Sequence, residues 1–239
     1  MADDDTFDES FVQVADLERD EDGATEAARR TLEQAELELM AAWVAGDRSA
    51  GNQLVRTYLK PITRFFQAKV HDTNRVEHLV SDFLEQLTKA PKKVHTTVKA
   101  YIFGIAKYTL LRHFRSQRGN REDPMDVTLA NFDAREPSFV SNQRDETRLV
   151  LRAMRRIELR RAMAIEMYYF EGMSGPEIAE ILGEPQGTVR GLLRLGLVDL
   201  QRQILAQERD PKVLAASQST YTWLAGLVRY IESLRAKPA

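Results

Sequence analysis

Segment 174–190 constrains the fold more than any other part of this sequence. Ser174 and Glu177 have the spacing of a capping box, in which each side chain satisfies a backbone N–H at the start of a helix. Pro176 lies in the first turn, where its missing N–H does little harm. A Gly-Glu-Pro turn then leads into a second helix with apolar residues at helical spacing: Val189, Leu193 and Leu197. This pattern indicates a helix-turn-helix, a unit that places its second helix in the DNA major groove.

The rest of the chain has the three- and four-residue apolar spacing of amphipathic helices, and we find no alternation typical of strands. The spacing predicts helices at about 33–44, 49–70, 74–89, 97–117, 145–157, 175–182, 186–204 and 217–235. Pro61, inside the second of these, predicts a kink or a break. Ala45, Gly46 and Asp47 predict a helix stop. We therefore predict an all-α fold of two small helical domains joined by a flexible linker, with an extra C-terminal helix.

The predicted organisation has five parts: an acidic disordered extension at 1–32, a helical domain at 33–118, a linker at 119–145, the helix-turn-helix domain at 146–205 and a C-terminal extension at 206–239. The first 30 residues hold eleven acidic and three basic residues, a formal charge of −8. The chain has 239 residues and no cysteine, which excludes disulfides and thiolate chemistry. Because we find neither a secretory signal nor an apolar run long enough to span a membrane, we expect a cytoplasmic protein.

Segment 86–121 is strongly basic: it holds nine Lys and Arg residues and no acidic residue. Aromatic residues are interleaved with these charges: Tyr101, Phe103, Tyr108 and Phe114. Basic groups neutralise phosphates and aromatic rings stack on unpaired bases, so the segment is a candidate nucleic-acid surface. The alternative is a solvated basic face over an ordinary core, with Tyr101, Ile105 and Tyr108 facing inward, and we favour it for most of the aromatics.

Enzymatic and metal-dependent functions have little support in this sequence. The four histidines all lie in the first domain, and their spacing matches no metal motif. We find no glycine-rich phosphate loop and no nucleophile elbow. We therefore expect no catalytic residues, no metal and no cofactor.

Together, the two predicted domains resemble bacterial sigma factors. Segments 167–174, 177–183 and 187–190 resemble the fourth conserved region of these proteins, and most closely that of the extracytoplasmic-function (ECF) branch. Segments 46–48, 79–84 and 99–108 are similar to the second conserved region, more loosely. The resemblance covers about 45–118 and 147–205.

The resemblance implies a subunit that binds the clamp and flap of core RNA polymerase and directs it to promoter DNA. It implies that the following residues bind the polymerase: Leu79, Asp82, Phe83, Glu85 and Gln86. It implies that a second set binds the minus-ten element: Lys92, Lys93, Lys99, Tyr101, Lys107, Arg112 and Arg115. A third set would read the minus-thirty-five element: Gln186, Thr188, Arg190 and Arg194.

The sequence departs from the family at 191–198, where Gly, Leu and Val replace the further basic residues that are usual there. Such an apolar recognition helix should bind phosphates weakly. We expect another part of the chain to cover it, and the amphipathic helix at about 217–235 is the candidate. That helix alternatively binds a partner, although we favour packing within the chain.

Two other functions stay open at this point. A stand-alone helix-turn-helix regulator would bind duplex DNA without polymerase and without any need for 79–87. A sigma-like adaptor would act through protein partners and would have lost promoter reading. The acidic N-terminus is either a solubilising tail, which we favour, or a DNA mimic that occupies the basic face. An anti-sigma partner, or inhibition by the two extensions in its place, is also open.

Overall fold

A computed structural model describes residues 23–89, 94, 96–118, 123–132 and 145–207. Its helices, in chain order, are α1 (Gly23–Val44), α2 (Arg48–Gln67), α3 (Thr73–Lys89), α4 (Val98–Arg118), α5 (Leu129–Phe132), α6 (Asp145–Met154), α7 (Leu159–Ile165), α8 (Gly175–Leu182) and α9 (Gln186–Gln207). Among these residues the β-structure consists of one isolated bridge between Thr128 and Glu158. The all-α prediction is confirmed. None of the described helices is long and apolar enough to cross a membrane.

The boundary between α1 and α2 is set where the sequence predicts it. Gly46 has a φ of 107°, which ends the first helix, and the Asp47 carboxylate accepts the N–H of Ser49 at 2.8 Å to cap the second. The start of α1 differs, because the helix begins at Gly23 and residues 23–32 are helical where disorder was predicted. An Arg29–Glu33 ion pair at 3.2 Å supports this early part.

The predicted break at Pro61 is wrong, since α2 runs without interruption from Arg48 to Gln67. Proline removes one backbone hydrogen bond from a helix. Here the turns on both sides are fixed by buried side chains of the same helix, Tyr58 and Ile62 near the proline and Phe65 one turn further. Tertiary packing therefore overrides the local preference.

Aromatic contacts join α2, α3 and α4 into the first half of the molecule. The Phe65 ring lies 5.6 Å from Phe66 and 5.8 Å from Phe103, and Phe66 lies 6.5 Å from Phe83, all edge to face. Phe103 and Phe114 are buried, as the core interpretation of segment 86–121 predicts. Tyr108 is an exception, because 54% of it is exposed and it does not face inward.

Residues 123–132, which we call the strap, form a packed connection within the predicted linker. The Asp123 carboxylate caps a short 3-10 helix, Pro124–Asp126, and Met125 and Leu129 are buried. The backbone of the strap is held by the second half of the chain: the Leu159 N–H donates to the Val127 carbonyl at 3.0 Å. This part of the linker is thus ordered against its neighbours instead of being a free tether.

The helix-turn-helix forms with the predicted caps. The backbone N–H of Ser174 and its hydroxyl each lie 2.8 Å from the Glu177 carboxylate, so the capping box is confirmed. Gly183 ends α8 with a φ of 73°, in the left-handed region that favours glycine. The helices at 175–182 and from 186 onward match the prediction.

Candidate nucleic-acid interface

The first turn of α9 is an open polar surface. Gln186, Thr188 and Arg190 are all exposed, and Arg194, one turn beyond Arg190, is partly exposed. A Cβ added at Gly187 or Gly191 would meet nothing within 4 Å, so the backbone between these side chains is also accessible. A helix N-terminus attracts phosphate through its free N–H groups, and the long polar side chains can reach base edges. The four residues predicted to read duplex DNA therefore lie on one helix, near its exposed start.

The apolar side of α9 is covered by the core of its own domain. Val189, Leu193 and Leu197 are buried, and α9 packs on α6 and α7. At Gly196 an added Cβ would lie 3.0 Å from Ile165 Cδ1 and 3.2 Å from Arg161 Cβ, so glycine permits a close approach of the two helices. The apolar run at 191–198 is thus largely structural. The helix predicted at about 217–235 lies outside the described residues, and this packing does not involve it.

The residues predicted for the minus-ten element are divided between different surroundings. Lys99 donates to the backbone carbonyl of Glu171, which comes just before the helix-turn-helix. Arg112 pairs with Asp82 of α3 at 2.7 Å, and Arg115 lies 4.0 Å from Asp123 of the strap. Tyr101 is partly buried against the core. Lys92 and Lys93 lie outside the described residues.

Lys107, one of the same set, is half-buried beside the strap and the helix-turn-helix. Burial lowers the pKa of its ammonium group, and the carboxylates of Asp123 and Glu184 act in the opposite direction. Arg160 and Arg115 lower the pKa further. The local charge is therefore balanced between acidic and basic groups, unlike the uniformly basic sequence of segment 86–121.

Tyr108 is a candidate that the inward-facing prediction missed. It is the most exposed aromatic side chain among the described residues and lies on α4 next to Lys107. An exposed ring beside a cation can stack on an unpaired base. The interleaving of aromatic and basic residues is the sequence signal for it, but periodicity alone assigns the ring to the core.

With this geometry established, the comparison with protein families is specific. Residues 147–200 match the family model for sigma-70, region 4. The matched range begins in α6 and ends in α9, so it contains the whole helix-turn-helix. No curated protein matches the chain. The match supports a DNA-binding role in transcription, and we call this part of the molecule region 4.

Two glycines of region 4 give opposite expectations for the same substitution. Gly196→Ala should lower the free energy of unfolding by about 1 kcal/mol, because the new methyl group crowds Ile165 and Arg161. Gly191→Ala has open space around it and should raise the free energy of unfolding by about 0.5–1 kcal/mol through helix propensity. Urea unfolding followed by circular dichroism measures both. Equal effects of the two substitutions would contradict the close packing of α9 on α7.

The predicted polymerase-binding residues separate into a buried and a surface group. Leu79 and Phe83 are buried in the core of the first half, where they hold α3 in place. Glu85 is exposed and pairs with Lys89 at 2.5 Å. Gln86 donates to the Thr109 hydroxyl at 2.9 Å, and Asp82 pairs with Arg112 as described above. The surface available to a partner is therefore carried mainly by Asp82 and Glu85.

An open pocket of about 470 Å³ lies between α3 and α4 on this same side. Arg75, His78, Asp82, Arg112 and His113 contribute to its lining. Burial lowers the pKa of the His113 imidazole, and the positive charge of Arg75 lowers it further. Among the residues that the structure describes, no cluster of His, Asp and Glu has an arrangement that would hold a metal ion.

Proposed function

We propose that this protein is a sigma factor of the extracytoplasmic-function type, which binds core RNA polymerase and directs it to promoters. The observation that carries the proposal is the match of residues 147–200 to sigma-70, region 4, combined with the exposed first turn of α9. The match supports DNA binding in transcription in general. The polymerase, the promoter elements and the branch of the family are our inference from the sequence resemblance.

In this proposal α9 enters the major groove at the minus-thirty-five element. Arg190 and Gln186 have the donors that recognise base edges, and Thr188 lies at the helix start, where backbone N–H groups favour a phosphate. α4 carries the basic and aromatic residues for the minus-ten element, where positive charge and flat side chains hold a separated strand. The protein supplies recognition, and the polymerase supplies the chemistry.

The polymerase contact in this proposal is the exposed side of α3, with the core clamp as the partner and Glu85 as the residue to test. We expect Glu85→Lys to weaken binding to core polymerase about tenfold, because it reverses a charge at a complementary surface. Glu77→Lys is the matched control, since it makes the same charge change on an exposed residue of the same helix. Binding is measured by fluorescence anisotropy of the labelled chain with purified core.

The function itself is tested by transcription from a pool of genomic promoters, with core polymerase in the presence and absence of the protein. A sigma factor makes initiation dependent on the protein, and Glu85→Lys lowers the yield where Glu77→Lys does not. Tight duplex binding without initiation, unchanged by Glu85→Lys, would indicate a stand-alone regulator instead. Neither initiation nor duplex binding would leave the adaptor as the better explanation.

A further inference from the structure

The two halves of the described chain are in direct contact through α4 and region 4. α8, the first helix of the helix-turn-helix, packs on α4. At the start of α4, the Thr97 hydroxyl and the Glu177 carboxylate are 2.6 Å apart, and Lys99 donates to the Glu171 carbonyl. The apolar core continues from one half into the other without a break. The edge of α4 that carries Lys99 and Lys107, which we call the lysine edge, therefore faces region 4.

A buried ion pair crosses the same boundary. The ammonium group of Lys69, whose side chain is 1% exposed, pairs with the carboxylate of Glu166, the residue that follows α7. Lys69 also donates to the Phe65 carbonyl at 3.0 Å and lies 3.7 Å from the centre of the Phe65 ring. Nearby, Arg155 donates to the Ala68 carbonyl at 3.4 Å, again across the two halves. These contacts join the end of α2 to the centre of the second half.

Such a contact is suited to opening and closing. A buried charge pair gains much of its attraction back as hydration when its partners separate, so it contributes specificity more than net stability. The pair is strongly unfavourable only when one partner stays buried without the other. Opening of the halves exposes both charges together, and closing buries both together.

We propose that the described structure is a closed state, in which region 4 and the strap cover the lysine edge while the first turn of α9 stays exposed. In this state the chain offers its duplex-reading surface and withholds the lysine edge from a separated strand. A phosphate cannot displace the Glu171 carbonyl from Lys99, or approach Lys107 past the strap, unless the halves part. The identity of the withheld ligand rests on the proposed function.

The pair Glu166→Lys and Glu180→Lys tests the closed state. Glu166→Lys places a second ammonium group against Lys69 and should separate the halves. Glu180→Lys makes the same charge change on an exposed residue of α8 and should not. The probe is a fluorescent single-stranded oligonucleotide of mixed sequence, and the readout is its anisotropy. We expect Glu166→Lys to bind it about tenfold more tightly than Glu180→Lys, since opening raises the competent fraction. A mixed-sequence duplex should bind the two variants within about twofold of each other.

A removable cross-link shows whether opening causes the gain. The chain has no cysteine, so Thr97→Cys with Glu177→Cys in the Glu166→Lys background gives one reactive pair. A short bis-methanethiosulfonate reagent should remove the gain in strand binding, and dithiothreitol should restore it. Each single-cysteine chain, treated in the same way, is the control. If Glu166→Lys loses its helical circular dichroism signal, Glu166→Gln takes its place, with a smaller gain of the same sign.

Three results would overturn the closed state: equal strand binding by the two variants, a gain that survives the cross-link, or no strand binding by any form. The assay contains neither polymerase nor a promoter. Failure of promoter-dependent transcription would therefore count against the proposed function without deciding whether region 4 covers the lysine edge.

Discussion

Lys69→Met is expected to lower the free energy of unfolding by about 3–5 kcal/mol, the usual effect of removing one partner from a buried ion pair. Methionine keeps most of the volume of the lysine stem, so the loss reports the charge and its hydrogen bonds. Glu166 is left with 14% of its side chain exposed and without its ammonium partner. Chemical unfolding followed by the fluorescence of Trp43, which packs near the core of the first half, measures the change.

A double variant separates the pair from its surroundings. Lys69→Met with Glu166→Met removes both charges and should recover most of the loss, since an apolar replacement of a buried pair is often neutral or stabilising. Lys60→Met, at an exposed position of α2, should change the free energy of unfolding by less than about 0.5 kcal/mol. The assignment of a buried pair is wrong if Lys69→Met behaves like Lys60→Met.

Arg190→Ala should reduce promoter-dependent initiation and duplex affinity roughly 5- to 150-fold, the range for one lost base contact worth about 1–3 kcal/mol. The reason is its position: the side chain is exposed one turn into α9, on the open surface that includes Gly187 and Gly191. A phosphate contact would give a smaller loss, uniform over sequences, with a lower salt dependence. Binding to promoter duplexes at several salt concentrations separates these two cases.

Arg202→Ala is the matched control for this prediction. Arg202 lies on the same helix and carries the same charge, but it is three turns away and pairs with Asp199, and 72% of its side chain is exposed. We expect its loss to leave promoter selectivity unchanged. Equal effects of the two substitutions would mean that charge alone, and not the first turn of α9, determines duplex binding.

Local chemistry explains which parts of the fold the sequence could predict. The capping box of Ser174 and Glu177 and the left-handed Gly183 determine α8 within a few residues, without help from distant parts of the chain. The same applies to the helix stop at Gly46. Where distant contacts decide, the predictions were wrong: buried aromatic residues carry α2 through Pro61, and the ring of Tyr108 points outward although its spacing fits the core.

The candidate site shows the same division. The first turn of α9 could be predicted, because capping and turn residues fix where that helix begins and which residues it exposes. The surroundings of the lysine edge could not, because Lys69 and Glu166 are 97 residues apart in the chain and Lys99 and Glu171 are 72 apart. One sequence does not show which distant residue meets a given charge. The apolar run at 191–198 likewise becomes intelligible only when Gly196 is seen against α7.

The strap sets how far the two halves can travel when they part. Its backbone is bonded to the second half at Leu159 and through the Ala130 N–H, which donates to the Arg155 carbonyl at 2.8 Å. While these bonds hold, α4 is joined to the strap by the chain between Arg118 and Asp123 alone, which spans at most about 18 Å when fully extended. So short a leash keeps the separated halves at a high effective concentration, and an opened molecule recloses quickly unless a partner occupies the gap. Lengthening the chain at 119–122 would extend the leash while changing the closure entropy only slightly.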